Sequence, residues 1–181
     1  MLAAIRNTNH KNFRGSILCM SAVLLGHLLT GCTSIKIQAN KDEASVRKVK
    51  RLFVLIQHGD VGKRPYSAEL ASAMQDAFTN TPVVIDVSIA NPVELDESAH
   101  QKRMDEFGCD AVLVIRTTGG IINEYDSYPK IIYDASLFEP QLKKRLWRAR
   151  VDNSGATALM KRRFREMSES IVRQLKSDGF I

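Results

Sequence analysis

Apolar and polar positions along the chain switch between two periods. Leu52 to Ile56 is a compact apolar run broken by Gln57, His58, Gly59 and Asp60, which predicts a buried strand entering a loop. Leu70, Ala73, Met74, Ala77 and Phe78 then recur at helical spacing behind Ser67 as N-cap, and Asn80 and Pro82 stop that helix. Val83, Ile85, Val87 and Ile89 alternate with Val84, Asp86 and Ser88, predicting a strand with one face more buried, which Asn91 and Pro92 end. A second helix is predicted over about Glu97 to Phe107, starting at Asp96 or Ser98, with Gly108 as its left-handed C-cap.

Ala111 to Ile115 is apolar without alternation, as in a strand covered on both faces in the middle of a sheet. Gly119 and Gly120 are expected to end it, and the stretch through Tyr128 and Pro129 reads as a longer loop or an irregular edge. Two alternating runs follow: Ile131, Tyr133, Ala135 and Leu137, then Trp147, Ala149 and Val151. They flank a turn near Glu139, Pro140 and Gln141 and predict an antiparallel hairpin. Asn153 or Ser154 is expected to cap a last helix, whose stripe of Ala156, Met160, Phe164, Met167, Ile171 and Leu175 packs on the sheet until Gly179. The order is βαβα, then β, a β-hairpin and a C-terminal α-helix. This is an α/β chain folded as an α+β sandwich with a mixed sheet, in one domain over 50–181.

Upstream the pattern is different. Arg6, Lys11 and Arg14 precede an apolar run of 13 residues, Ile17 to Leu29, which fits a signal segment and falls short of the roughly 20 residues of a spanning helix. The run closes on Leu29, Thr30, Gly31 and Cys32, which resembles a bacterial lipobox. The resemblance implies cleavage between Gly31 and Cys32, removal of residues 1–31 as signal peptide, and a diacylglycerol on the Cys32 thiol, with palmitate among its acyl chains. Small residues suit a peptidase that threads the backbone through a narrow site, and thioether formation requires a thiol. No Arg-Arg pair precedes the run, which points to general secretion. By the same resemblance the residue after the lipidated cysteine biases sorting. Thr33 is not the aspartate that retains such proteins in the inner membrane, so the expected location is the periplasmic face of the outer membrane. Residues 32–49 are expected to be the lipidated N-terminus and a tether, faintly strand-like at Ser34 to Gln38. As coil, about 15 residues would span roughly 20 Å. Arg47, Lys48, Lys50 and Arg51 mark where order begins, as a solvated strand entrance or a contact for anionic headgroups or an acidic partner.

Charge changes this picture little. The chain has 26 basic and 20 acidic residues, and removing the leader with its three basic residues leaves about +3, with no nucleic-acid consensus. Of three cysteines, Cys19 leaves with the leader and Cys32 is committed to lipid, so Cys109 is alone and is expected to be buried in an oxidising compartment.

Candidate chemistry is sparse. The loop from Gln57 to Arg64 holds His58, Gly59, Asp60, Gly62 and Lys63, but it fails the phosphate-loop spacing at both ends, and no Gly-x-Ser-x-Gly elbow accompanies His58 and Asp60. No His or Cys pair has metal-ligand spacing, and Glu94, Asp96 and Glu97 suit a loop and helix start, so no cofactor is expected. Two basic groups remain. Lys143, Lys144, Arg145, Arg148 and Arg150 surround the hairpin, and Lys161, Arg162, Arg163 and Arg165 open the last helix. They form either a solvated face or a patch for an anionic glycan, lipid headgroup or acidic protein. Lys144, Arg145, Leu146, Arg148 and Arg150 are the candidate partner-docking residues, with Leu146 exposed among charges, and an unpaired edge strand within 121–138 would offer strand addition.

The strand-loop-helix opening, Gly108-Cys109-Asp110 before an apolar strand, and the hairpin with Arg145, Leu146, Trp147 and Arg148 together resemble a recurring envelope pattern. It is that of the small periplasmic domains of penicillin-binding-protein activator lipoproteins, the curli-secretion lipoprotein and the N-terminal domain of the Tol-system propeller protein, over roughly residues 50–178. The resemblance implies a non-enzymatic domain that docks onto envelope proteins or assembles with itself. The expected function is an accessory or assembly factor of an envelope complex. The alternatives are a self-assembling structural lipoprotein, or a small-ligand or cell-wall-binding enzyme centred on the 57–64 loop.

Overall fold

The structure is a computed structural model describing residues 34–57, 66–90, 98–121, 128–142 and 144–181. Among these residues six strands and three α-helices form an α+β fold: β1 (Ser34–Lys41), β2 (Arg51–Gln57), α1 (Ser67–Phe78), β3 (Val84–Ala90), α2 (Ser98–Phe107), β4 (Ala111–Ile121), β5 (Lys130–Glu139), β6 (Lys144–Ser154) and α3 (Met160–Ser177). The strands make one mixed sheet in the order β1-β6-β5-β4-β2-β3. β2 runs parallel to both β3 and β4, while β4, β5, β6 and β1 form an antiparallel succession. The chain steps from β2 out to β3 and then back across β2 to β4. Right-handed crossovers therefore put α1 and α2 on opposite faces.

One face carries the core. Leu52, Val54, Ile56, Leu113, Ile115, Ile131, Tyr133, Ala135, Leu137, Trp147, Ala149 and Val151 are all buried there. α1 covers them with Leu70, Met74 and Phe78, and α3 with Met160, Phe164, Met167, Ile171 and Leu175, the stripe expected from its periodicity. The indole N–H of Trp147 donates to Asp178 Oδ2 at 2.7 Å, so this large ring is buried without an orphaned donor. On the other face α2 buries none of its own residues. It is held by Arg103, whose guanidinium donates to Asp86 Oδ2 (2.8 Å), Asp86 Oδ1 and the Val87 carbonyl, and by Phe107 against buried Phe53, with ring centroids 6.5 Å apart.

Several expectations are corrected. The stretch taken as a tether is strand β1, paired in register with β6 from Ser34↔Ser154 to Lys41↔Trp147. Its only large apolar residues are Ile35 and Ile37, half-buried at the sheet edge, so little hydrophobic signal was available. β4 does not end at Gly119 and Gly120 but runs through them with an irregularity after Thr117. Gly120 has φ +152°, and a Cβ there would stand 2.3 Å from the Lys130 carbonyl oxygen, so glycine allows the close pairing with β5 rather than stopping the strand. β5 is not an unpaired edge, since β4 and β6 flank it; the edges are β1 and β3. Ile89 is exposed because β3 is an edge strand. Asn153 and Ser154 belong to β6 and cap nothing; a short 3₁₀ turn, Thr157–Leu159, leads into α3 instead. Ser67 is the first helical residue, and Tyr66 occupies the N-cap position.

Candidate functional site

The lipobox residues Leu29, Thr30, Gly31 and Cys32 lie outside the described residues, as do Thr33, His58, Asp60, Lys63, Glu94, Asp96, Glu97 and Lys143. The described part begins at Ser34, already in β1. The basic residues after β1 are engaged with the domain. Arg47 pairs with Glu139 at 2.9 Å and donates to the Asp110 carbonyl at 3.0 Å; Lys48 donates to the Ile181 carbonyl at 2.6 Å; Arg51 donates to the Phe107 carbonyl and lies over its ring. Asp110 receives the backbone N–H groups of Lys50 and Arg51 at 2.8 and 2.9 Å. Burial pushes its carboxyl up, but those two donors prevail and hold it below the usual range.

The hairpin residues are brought together on β6, in different roles. Alternation puts Arg148 and Arg150 on the face opposite Trp147, and the strand register sets Arg116, Asp134, Arg150 and Gln38 side by side across four strands. Asp134, only 4% exposed, accepts from Arg148 Nε at 2.6 Å and from Ser136 Oγ at 2.7 Å, with Arg116 Nε 4.0 Å away. Its burial raises the carboxyl pKa, yet Ser136 and Arg148 together hold it below the ordinary value. Arg150 pairs with Asp152 at 2.9 Å, and Asp152 also holds Lys130 at 2.8 Å. Lys144 bonds Asp42 and Ser45, each at 2.7 Å, tying β6 to the turn after β1. Arg145 lies 5.3 Å from the Phe138 ring centroid. The result is an ion-paired sheet face around a shallow concavity of about 600 Å³, lined by Gln38, Asn40, Thr118, Asp134, Arg148 and Arg150.

Because the Asp134 carboxyl is depressed in the fold, it contributes stability that is present above its unfolded pKa and lost as pH falls through the folded one. Asp134→Asn is expected to cost about 1–2 kcal/mol at neutral pH, with variant and wild type converging once pH has fallen below the ordinary carboxylate range and the folded-state carboxyl is protonated. Thermal melts across that range check this, and a pH-independent difference would contradict it.

Leu146 is not exposed. It is 1% accessible, and the register explains why: Leu137 faces Trp147 and Phe138 faces Arg145, so Leu146 is the extra residue of a bulge and turns into the core beside Trp147. Docking at this hairpin would therefore rest on its charges. In the second basic group Arg163 is 0% exposed while Lys161, Arg162 and Arg165 stay at the surface. Its guanidinium donates to Asn153 Oδ1 (2.8 Å) and to the carbonyls of Asn153 (2.7 Å), Gly155 (2.7 Å) and Pro129 (2.9 Å). No carboxylate pairs with it among the described residues. Burial lowers its pKa. Arg162, Arg165, Glu69 and Asp76 line a groove of about 760 Å³ between α1 and α3, where opposite charges face one another.

Cys109 is half-buried rather than fully buried, and burial, reinforced by Asp110 and Asp105, pushes its thiol up, away from the reactive thiolate. His100, on α2, meets Ser88 through Nδ1···Oγ at 3.1 Å. Arg103 reaches the same hydroxyl at 3.4 Å, so the pair sits within the clamp that fastens α2 to β3. Among the described residues no group of three His, Cys, Asp or Glu could hold a metal ion, and no helix is long and apolar enough to cross a membrane.

No protein-family model and no curated protein sequence matches the chain. Solved structures of similar shape include a PelC dodecamer from Paraburkholderia phytofirmans, at 10% identity over 81% of this chain and 98% of that one, with a TM-score of 0.50. The hypothetical protein CT253 from Chlamydia trachomatis is 7% identical over 72% and 98%, with a TM-score of 0.49. Lipoprotein GNA1162 from Neisseria meningitidis is 19% identical over 71% and 99%, with a TM-score of 0.41. At these identities the likeness concerns the fold alone, and that fold, a mixed sheet backed by helices, is what the chain shares with the PelC protomer.

Proposed function

We propose that the chain is a lipoprotein anchored through Cys32 to the periplasmic face of the outer membrane, and that its domain is a non-enzymatic accessory or assembly factor of an envelope complex. One observation carries this: the basic, apolar and small-residue segments and Cys32 follow one another in order, and the first strand of the folded domain begins two residues later, at Ser34. The sheet supports docking because both edges, β1 and β3, leave one side of their backbone without a neighbouring strand among the described residues. Crosslinking in intact cells tests it. Adducts with other envelope proteins are expected, together with an envelope defect when the gene is deleted; recovery of uncrosslinked monomer alone, with no defect, would reject the role.

Self-assembly is a second reading, favoured by the two open edges on one protomer and by the PelC chain of the same fold being described as a dodecamer. The same crosslinks would then join copies of this chain. A detergent-extracted particle of one chain's mass would remove it.

A further inference from the structure

We infer that the domain is seated on the lipid headgroup layer by one defined end of its sheet, the end bearing Ser34, and stands with β6 running away from the bilayer. The inference rests on the lipid-anchor reading of Cys32. Two residue steps separate Cys32 from Ser34, and an extended chain advances at most about 3.6 Å per residue, so connectivity alone holds that strand end within roughly 7 Å of the anchor's Cα. Coil of about 15 residues would have let the domain turn freely over roughly 20 Å. Pairing of all eight β1 residues with β6 removes that freedom.

The register says what meets the headgroups. Ser34 pairs with Ser154, Ser154 with Lys130, and Lys130 with Ile121, so the start of β1, the end of β6, the start of β5 and the end of β4 share one row. Tyr128, two residues before Lys130, is 62% exposed, and tyrosine with an apolar ring and polar tip suits the headgroup level. The chain goes from Ser154 through a short turn into α3, which brings exposed Lys161 and Arg162 to the same end. Charges there are mixed, with Lys130 paired to Asp152 and Arg162 to Glu166, so the short link, and not attraction to anionic lipid, sets the orientation. Added salt should leave it unchanged. The opposite end holds the β5–β6 turn with Leu142, 69% exposed. The 11 residues of β6 at about 3.3 Å each place that turn roughly 35 Å from the headgroups, facing protein partners.

The test uses the full chain carrying Cys109→Ser, with Tyr128→Cys or Leu142→Cys labelled by a fluorophore. Each is reconstituted in phosphatidylethanolamine and phosphatidylglycerol vesicles containing a headgroup-quencher lipid. The probe at 128 is expected to lose most of its emission and the probe at 142 to keep it, at low and high salt alike. A Gly/Ser linker of about 20 residues inserted between Thr33 and Ser34 should equalise the two. Lys161→Cys and Gln141→Cys read the same two ends independently. Equal quenching without the linker, in chains that remain on the vesicles, overturns the seat and leaves the anchor standing. Chains that do not remain on the vesicles overturn the anchor and the seat with it.

Discussion

Replacing Cys32 by serine is expected to abolish palmitate incorporation and to move the domain from the membrane fraction to the soluble or uncleaved pool. The serine hydroxyl cannot form the thioether that would carry acyl chains, and on the lipid-anchor reading no other cysteine can replace it: Cys19 falls in the segment that would be cleaved, and Cys109 is half-buried beyond the second helix. The effect should be close to all-or-none. Each buried methylene contributes about 0.8 kcal/mol, so one chain binds marginally while the two or three chains of a lipoprotein hold it in effect permanently. Metabolic labelling with a palmitate analogue, followed by fractionation, measures both consequences. Undiminished labelling would end the lipid-anchor reading.

The second large effect is expected at Arg163. Substitution by methionine keeps the stem's volume and removes a buried charge, which by itself tends to stabilise. It also leaves the Asn153, Gly155 and Pro129 carbonyls and Asn153 Oδ1 without their donor. Three of these four acceptors are main-chain groups fixed by the fold. At about 1–3 kcal/mol for each buried acceptor left unmade, less what water recovers, the orphaned carbonyls outweigh the relieved charge. A loss of about 3–5 kcal/mol is expected, or roughly 10 °C in Tm. Arg163→Lys should recover only part of it, since an ammonium lacks the planar fork that reaches several acceptors at once. A methionine variant melting within 2 °C of wild type, on the order of 1 kcal/mol, would show that the guanidinium is not what joins α3 to the ends of β5 and β6.

Where apolar positions follow a strict period, the fold is legible in the chain. Ile131 to Leu137 and Trp147 to Val151 alternate because the apolar side of each strand lies in the core and the other side carries polar groups. The doubly apolar run at Ala111 correctly marked an interior strand. Other features depend on partners that sequence spacing does not name. Strand order is one of them, and it turned the supposed edge at 121–138 into the interior strand β5. The bulge that buries Leu146 arises from how β6 pairs with β5, not from either strand alone. Gly119 and Gly120 read as a stop, yet only close approach by β5 requires the second of them. Arg163 was grouped with its basic neighbours, although it lies on the same helical stripe as Met160 and Met167, and that position was the available signal. Likewise Asp134 stands between Tyr133 and Ala135 as an apparent solvent residue. Its burial follows from Arg148 and Ser136 closing over it.

The pairing of β1 with β6 also sets an order of events. Ser34 meets Ser154, 120 residues further along the chain, so the strand that leaves the ribosome before every other described strand is among the last to find a partner. Until β6 has been made, β1 lacks the described strand it pairs with. On the lipid-anchor reading, a peptidase and an acyltransferase would meet it as they would a peptide. Closure of β1 onto β6 then completes the sheet, so on the lipid-anchor reading the short link from Cys32 ends in the very strand that closes the fold.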